Sequence, residues 1–136
     1  MGTRYMILTF GLILMSMSTA CGTDNPVQPE SPTYMGAWAL KSWDSDTDQR
    51  VYQRLAKLEG EVTGFEIAAD GALYIRDPGW CGTPPLSYST REGSWREESD
   101  SSLLLTYFSL NREATFRMEI LSVDHHEMRC LRTEVE

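Results

Sequence analysis

The sequence predicts an all-β fold in which about eight short antiparallel strands follow one another in an up-and-down meander and close as a small barrel. Three observations predict it. Apolar and polar residues alternate with a period of two through much of residues 34–136, turn-forming residues separate the alternating runs, and the connections are short. Closure removes the exposed sheet edges that invite aggregation. A two-layer β-sandwich is the alternative arrangement of the same strands.

The first strand is predicted over residues 34–43, where apolar and polar side chains alternate. A polar break follows it. A short helix is then predicted near residues 48–59, because Val51, Leu55 and Leu58 recur at helical spacing and a glycine follows where a helix would end.

A β-hairpin is predicted over residues 62–75. Its turn is Asp70-Gly71, a dipeptide that suits the positive φ angles of a tight turn, and apolar residues alternate on both sides. The segment at residues 77–85 contains three prolines and two glycines, so it is predicted to be a loop. The remaining strands are predicted over residues 86–91, 93–98, 102–108, 114–123 and 128–134.

Residues 1–20 have the order of a secretory signal peptide, with Arg4 first, then an apolar run and then small residues. The apolar run is shorter than the roughly 20 residues of a membrane-spanning helix. The segment ends at Ser18-Thr19-Ala20-Cys21, which resembles the lipobox of bacterial lipoproteins. The resemblance implies cleavage before Cys21 and attachment of a diacylglyceryl group to it. An ordinary signal peptide beside a cysteine is the alternative.

Residues 21–33 are predicted to be the lipidated cysteine and a flexible tether. They hold three prolines among polar residues, with Val27 as the only large apolar side chain, so they cannot bury enough apolar area to fold. The resemblance to lipoproteins implies a bacterial cell envelope, with the membrane as partner through the anchor. In those proteins Gly22 after the cysteine implies the outer membrane, facing the periplasm or the cell surface.

The chain is acidic. Its formal net charge is −8 at pH 7, and removal of residues 1–20, which contain one basic residue and no acidic one, changes it to −9. Nucleic acid and anionic membrane surfaces require clustered Lys and Arg, so neither is expected as the main partner. No protein partner follows from the sequence.

Lipidation of Cys21 would leave Cys81 and Cys130 as a pair. An exported chain meets a compartment in which disulfides persist, so a disulfide between them is predicted. It would pin the loop at residues 77–85 to the last strand. Two free buried thiols, or a metal pair with a histidine, are the alternatives.

Gly36-Ala37-Trp38 on the first strand is similar to the Gly-x-Trp signature of the lipocalins. Together with later segments, it resembles the lipocalin-like domains of small bacterial envelope lipoproteins over residues 34–136. The later segments are Phe65-Glu66-Ile67, Asp70-Gly71, Tyr74, Cys81-Gly82-Thr83-Pro84-Pro85, Gly93-Ser94-Trp95 and Leu103-Leu104-Leu105-Thr106.

This resemblance implies a barrel that binds or carries a small apolar or amphipathic molecule without catalysis. In lipocalins a basic residue from the last strand covers the first-strand tryptophan. The resemblance therefore implies that Arg129 or Arg132 covers Trp38, a structural contact beside Gly36.

Four aromatic residues are candidate ligand contacts: Trp80, Tyr74, Trp95 and Tyr107. Trp80 lies on a loop that would rim an open end of the barrel. The alternative is that such aromatic residues fill the core. A filled barrel would favour a structural or protein-interaction module of the envelope, such as an inhibitor or assembly accessory.

The sequence predicts no catalytic residue, metal site or cofactor. Residues 124–127 (Asp-His-His-Glu) are the only cluster of metal-ligand types, and neighbouring histidines on a strand point to opposite faces, so a solvated turn is predicted there. No Gly-x-Ser-x-Gly segment marks a nucleophile. The chain is therefore not expected to be an enzyme.

Overall fold

The computed structural model describes residues 32–79, 84, 86–109 and 111–136. The predicted signal peptide, Cys21 and residues 22–31 of the tether lie outside the described residues, as do Trp80 and Cys81. The predictions made for them stay predictions. The described ranges contain no helix that is long and apolar enough to cross a membrane.

Eight antiparallel strands form one sheet that closes on itself as a barrel. The predicted fold class is therefore confirmed, and the sandwich alternative is wrong. The strands are β1 Gly36–Asp44, β2 Gln49–Leu55, β3 Gly64–Ile67, β4 Ala72–Asp77, β5 Ser89–Ser99, β6 Ser102–Ser109, β7 Arg112–Val123 and β8 Glu127–Val135. Around the barrel their order is β1-β2-β8-β7-β6-β5-β4-β3.

The helix predicted near residues 48–59 is wrong, because β2 occupies most of that range. Arg50, Tyr52 and Arg54 alternate along β2 and pair with buried or inward-facing residues of the neighbouring strands. Two of these three inward positions carry arginine. Apolar and polar residues therefore do not alternate along β2 as they do in most strands. The apolar residues on its outer face have a helical spacing, and this spacing led to the prediction of a helix.

The strands predicted over residues 86–91 and 93–98 are one strand, β5. Gly93 in its middle pairs with both neighbouring strands. A Cβ atom at Gly93 would lie 2.3 Å from the carbonyl oxygen of Thr106. The glycine therefore allows a close approach of β6 and does not interrupt the strand.

At one place, two strands that are consecutive in the sequence, β2 and β3, are not neighbours in the sheet. β1 lies between β2 and β3, so the connection at residues 56–63 passes from one side of β1 to the other. On the outer face of β4, Arg76 Nε donates a hydrogen bond to the carbonyl oxygen of Gly60 at 2.7 Å. Leu58 is buried but does not belong to the interior cluster. The connection therefore packs on the outside of the barrel.

Side chains on the inner face of the strands pack together as one hydrophobic core. Interiors of this kind are close-packed, so the core fixes the barrel's cross-section. The largest fully buried residues are Trp38, Ile67, Leu73, Leu103, Leu105, Met118, Met128 and Cys130.

The two ends of the barrel differ. The end at which β1 begins is called the base here. Residues 32–35 precede β1 there, and the side chain of Tyr34 is buried in the core. At the opposite end, called the upper end, β1, β4, β6 and β8 end and β2, β5 and β7 begin. The core reaches the base, and charged residues are concentrated inside the upper end.

Candidate functional site

A cation covers the first-strand tryptophan, but it comes from a different strand than the resemblance implies. The guanidinium carbon of Arg54 on β2 lies 4.2 Å from the centroid of the Trp38 ring. Arg54 Nη1 also donates to the carbonyl oxygen of Met35 at 2.7 Å. Arg54 thus takes the position that the resemblance implies for Arg129 or Arg132, because β2 lies between β1 and β8 in this barrel.

Gly36 begins β1 with a φ of 108°, a conformation that glycine adopts at no steric cost. A Cβ atom there would lie 2.8 Å from Nη1 of Arg54. The glycine and the tryptophan of the Gly-x-Trp segment therefore both accommodate the same guanidinium. Their role at the base is structural.

The predicted aromatic ligand contacts do not come together as one site. Tyr74 faces outward on β4, because the residues on either side of it point into the core. Trp95 lies towards the base, where its Nε1 donates to the carbonyl oxygen of Ala68 at 2.7 Å. Tyr107 is buried towards the upper end. Trp80 lies outside the described residues.

A cleft of about 750 Å³ opens at the upper end. Its size falls within the range of small-molecule sites. Arg91 forms an ion pair with Asp77 there and donates to the carbonyl oxygen of Phe108 at 2.5 Å. Phe108 is 54% exposed. The lining residues include Asp77, Ser89, Arg91, Phe108, Ser109 and Asn111.

Three inward-facing arginines lie inside the upper end: Arg50 on β2, Arg91 on β5 and Arg132 on β8. They are called the arginine cluster here. Arg50 pairs with Cys130 across the strands, and Arg132 lies two residues further along the same face of β8. The guanidinium carbons of Arg91 and Arg132 lie 5.8 Å and 5.3 Å from the centroid of the Tyr107 ring. One ring thus joins two of the cations.

Two arginines of the cluster have carboxylate partners. Asp48 Oδ1 accepts a hydrogen bond from Arg50 Nη2 at 3.1 Å, and Asp77 pairs with Arg91. The third arginine donates to the neutral hydroxyl group of Tyr107. Within the described ranges, therefore, three cations face two directly paired carboxylates.

Two neighbouring titratable groups, Tyr52 and Cys130, do not supply the missing negative charge. Burial is the largest cause that raises the pKa of Tyr52 to about 12. Burial likewise raises the pKa of Cys130, as a thiol, to about 12. Both groups are neutral at pH 7. Burial, and then the nearby charge of Arg50, lower the pKa of Arg132, although a guanidinium stays protonated at this pH.

Cys130 is fully buried on the inner face of β8. Its predicted partner Cys81 lies outside the described residues, so the disulfide stays a prediction. The connection that contains Cys81 leaves β4 at the upper end.

The cluster at residues 124–127 consists of an exposed turn at residues 124–126 and the first residue of β8, Glu127. Asp124 Oδ1 accepts hydrogen bonds from the backbone N–H groups of His126 and Glu127, both at 2.7 Å. These backbone hydrogen bonds lower the pKa of Asp124. In the part of the chain that the structure describes, no three His, Cys, Asp or Glu side chains are grouped to hold a metal ion.

Sequence reasoning missed Arg50 and Arg91, and it assigned Arg132 a different role. A usable signal was present in Arg50-x-Tyr52-x-Arg54, which alternates with a strand period. This alternation did not lead to a prediction of inward-facing arginines, because arginines are rarely found inside a small barrel.

None of the protein families, curated proteins or solved structures compared with this chain matches it. What the fold and the site define is a class of protein: a small, closed, eight-stranded antiparallel barrel with cationic side chains inside one end. The likeness to lipocalins rests on the chain's own residues and on this barrel.

Proposed function

We propose that this chain is a non-enzymatic lipoprotein of the bacterial cell envelope, whose lipocalin-like barrel binds or carries a small amphipathic molecule. The lipobox-like segment that ends at Cys21 supports a lipid anchor at that residue. We place the anchored protein at the outer membrane. The single observation that carries the binding proposal is the cleft at the upper end, which is lined both by Phe108, a large apolar residue that is 54% exposed, and by the Arg91–Asp77 ion pair. An apolar wall beside fixed charges suits an amphipathic ligand.

Binding is tested with the full-length protein and a fluorescent amphipathic probe. Phe108→Ala should weaken probe binding about tenfold or more, since it removes the apolar wall of the cleft. Leu121→Ala is the matched control, because Leu121 is also an exposed apolar residue, 49% exposed, but lies near the base end of β7. Equal binding by both variants and the unaltered protein would contradict the cleft as the binding site.

Native mass spectrometry of protein purified from its own envelope provides a second measurement. A co-purifying small molecule is the expected result. Its loss in Phe108→Ala, with retention in Leu121→Ala, would place that molecule in the cleft. The absence of any bound molecule, together with failure to bind the probe, would contradict the proposal.

The packed interior favours a second candidate function, a structural or protein-interaction module. Eight large side chains inside the barrel are less than 2% exposed, which leaves the lower part filled by the protein itself. Crosslinking in cells followed by purification distinguishes the two candidates. One specific protein partner without a co-purifying small molecule would favour this second function.

A further inference from the structure

The arginine cluster contains buried hydrogen-bond donors without acceptors. Among the residues that the structure describes, Nη1 of Arg50, Nε of Arg91 and Nε of Arg132 are buried and have no hydrogen-bond partner. Buried donors are nearly always paired in folded proteins, because losing water without gaining an acceptor is unfavourable. The described ranges contain four such donors, and three of them lie together at this end of the interior, where the oxygen atoms of a ligand could accept from them.

The charges of the cluster point in the same direction. Its three cations have two paired carboxylates, Asp48 and Asp77, and the hydroxyl of Tyr107 provides no negative charge. This excess of positive charge lies inside a protein whose net charge is −8. Charges that are partly shielded from water interact more strongly than exposed ones, so an anion would be held firmly here.

Aromatic rings lie directly beside the cations. The guanidinium carbon of Arg132 lies 4.0 Å from the centroid of the Phe116 ring, and that ring stacks on Tyr107 at 5.2 Å. These rings fix the plane of the guanidinium and leave its edge available for hydrogen bonds. A fixed guanidinium edge matches two oxygen atoms of one oxyanion.

The cluster is continuous with the cleft. Arg91 belongs to both, since it contacts the Tyr107 ring inside the barrel and lines the cleft beside Phe108. A ligand in the cleft can therefore direct one end at the cluster and keep its apolar part against Phe108.

We propose that the arginine cluster binds the oxyanion headgroup, a carboxylate or a phosphate, of an amphipathic ligand whose apolar part occupies the cleft. This proposal rests on the proposed function, and it adds that the headgroup carries negative charge. A neutral headgroup would leave the three buried donors and the excess charge largely uncompensated.

The test compares ligands that share a tail and differ in headgroup. Full-length protein in phosphatidylcholine nanodiscs is titrated calorimetrically with decanoate, decyl phosphate, decanol and inorganic phosphate, and empty nanodiscs are titrated to subtract partitioning. Decanoate or decyl phosphate should bind at least about tenfold more tightly than decanol. Inorganic phosphate should bind more weakly than either amphiphile, because it lacks the apolar part.

Arg132→Met removes one cation and keeps a long apolar side chain beside Phe116. It should abolish most of the preference for the charged amphiphile over decanol. Arg54→Met is the matched control, because Arg54 is also an inward-facing arginine with a partnerless Nε, but it lies at the base. It should keep the preference. Near-ultraviolet circular dichroism verifies that each variant is folded. If Arg132→Met does not fold, Arg50→Gln provides a second variant of the arginine cluster.

The possible outcomes separate this proposal from the proposed function. Decanol binding as tightly as decanoate and decyl phosphate would overturn the anionic headgroup and leave amphiphile binding intact. Inorganic phosphate binding as tightly as the amphiphiles would show a free-anion site and overturn the amphipathic ligand. Binding of none of the four would contradict both. Equal loss of preference in Arg132→Met and Arg54→Met would overturn the assignment to the arginine cluster.

Discussion

Arg54 joins three parts of the base through one planar group. It stacks on the Trp38 ring, donates to the carbonyl oxygen of Met35 and lies where a side chain at Gly36 would collide with it. A lysine has neither the plane nor the paired donors to make all these contacts. The base is therefore closed by β2, the neighbour of β1, and the last strand is free for a different role.

Replacing Arg54 by alanine should destabilise the barrel by about 2 to 3 kcal/mol, because it removes the ring contact and leaves carbonyl oxygens without a donor. Arg129→Ala is the control. The Arg129 side chain is 51% exposed and pairs with Glu127 on the surface, so its loss should cost about 0 to 1 kcal/mol. Urea unfolding measures both, and equal losses would contradict the stacking role of Arg54.

Cys130 is buried inside the barrel, so a disulfide between Cys81 and Cys130 would link the predicted loop at residues 77–85 to the core. A disulfide with Cys81 would close a loop of roughly 50 residues and stabilise the fold by roughly 4 kcal/mol on the chain-entropy account. Thiol titration of unreduced, unfolded protein should find neither Cys81 nor Cys130 reactive, and both should react after reduction. Two reactive thiols before reduction would rule out the disulfide.

At the level of the elements, the pairing of β1 with β3 requires a glycine on β3. A Cβ atom at Gly64 would lie 2.0 Å from the carbonyl oxygen of Trp38 and 3.0 Å from the Cα atom of Ala39. These are backbone atoms of the neighbouring strand, so they cannot move aside without separating the two strands. The unusual neighbour relation of β1 and β3 therefore requires glycine at this position.

Gly64→Ala should destabilise the protein by more than about 2 kcal/mol. Gly60→Ala is the control, since it has a φ of +78° but no atom within 4 Å of a built Cβ. Its cost should be about 1 kcal/mol, from backbone conformation alone. Thermal and urea unfolding measure the difference. A smaller loss at Gly64 than at Gly60 would contradict the close packing of β1 on β3.

A second contact links β5 and β7 across the outer face of β6. Glu98 accepts hydrogen bonds from Arg117 Nε at 2.6 Å and Nη2 at 2.7 Å, and from Ser102 Oγ at 2.9 Å. The hydrogen bond from Arg117, and next that from Ser102, lower the pKa of Glu98 from 4.5 to about 2. A lowered pKa in the folded state means that the charged carboxylate stabilises the barrel.

This stabilisation should be fully present above pH 4.5 and should be lost as the pH falls towards about 2, where the folded protein binds the proton. The difference in unfolding free energy between the unaltered protein and Glu98→Gln is the quantity to measure, by urea unfolding between these limits. It should shrink as the pH falls. A difference that does not change with pH would contradict the lowered pKa of Glu98 in the folded protein.

The elements that the sequence predicted well are those that follow the apolar-inside rule. β6, β7 and β8 carry apolar residues at most of their core-facing positions, with Arg132 on β8 as an exception, and their predicted ranges agree with the observed strands to within a few residues. The turn at Asp70-Gly71 was predicted from its local chemistry, and Gly71 has a φ of 87°. β2 was missed because two of its inward positions carry arginine.

The site was harder to predict than the fold for the same reason. Tyr107 was found because aromatic residues mark cavities and cores alike, whereas Arg50 and Arg91 are inward only by virtue of strand register. Register depends on which strands are neighbours, and local sequence does not specify that β2 closes against β8. The placement of an arginine cluster is therefore a property of the assembled barrel.

At the level of the whole molecule, the chain enters the barrel at the base, and the cleft lies at the upper end. A tether over residues 21–33 would thus attach the domain to the membrane on the side opposite the cleft. The acidic surface does not favour contact with anionic lipid headgroups. The proposed diacylglyceryl group on Cys21 must then supply the membrane affinity, at about 0.8 kcal/mol for each buried CH₂ group.

Cys21→Ala should therefore shift the protein from the membrane fraction to the soluble fraction of the periplasm or the medium. The control is Ser16→Ala, a small-for-small change in the same predicted leader, which should leave the protein with the membranes. Fractionation followed by washing with high salt and then detergent completes the measurement, because an acyl anchor resists salt and yields to detergent. Membrane association that persists in Cys21→Ala would contradict the anchor, and release of the unaltered protein by salt alone would indicate an electrostatic attachment that this acidic chain is not expected to make.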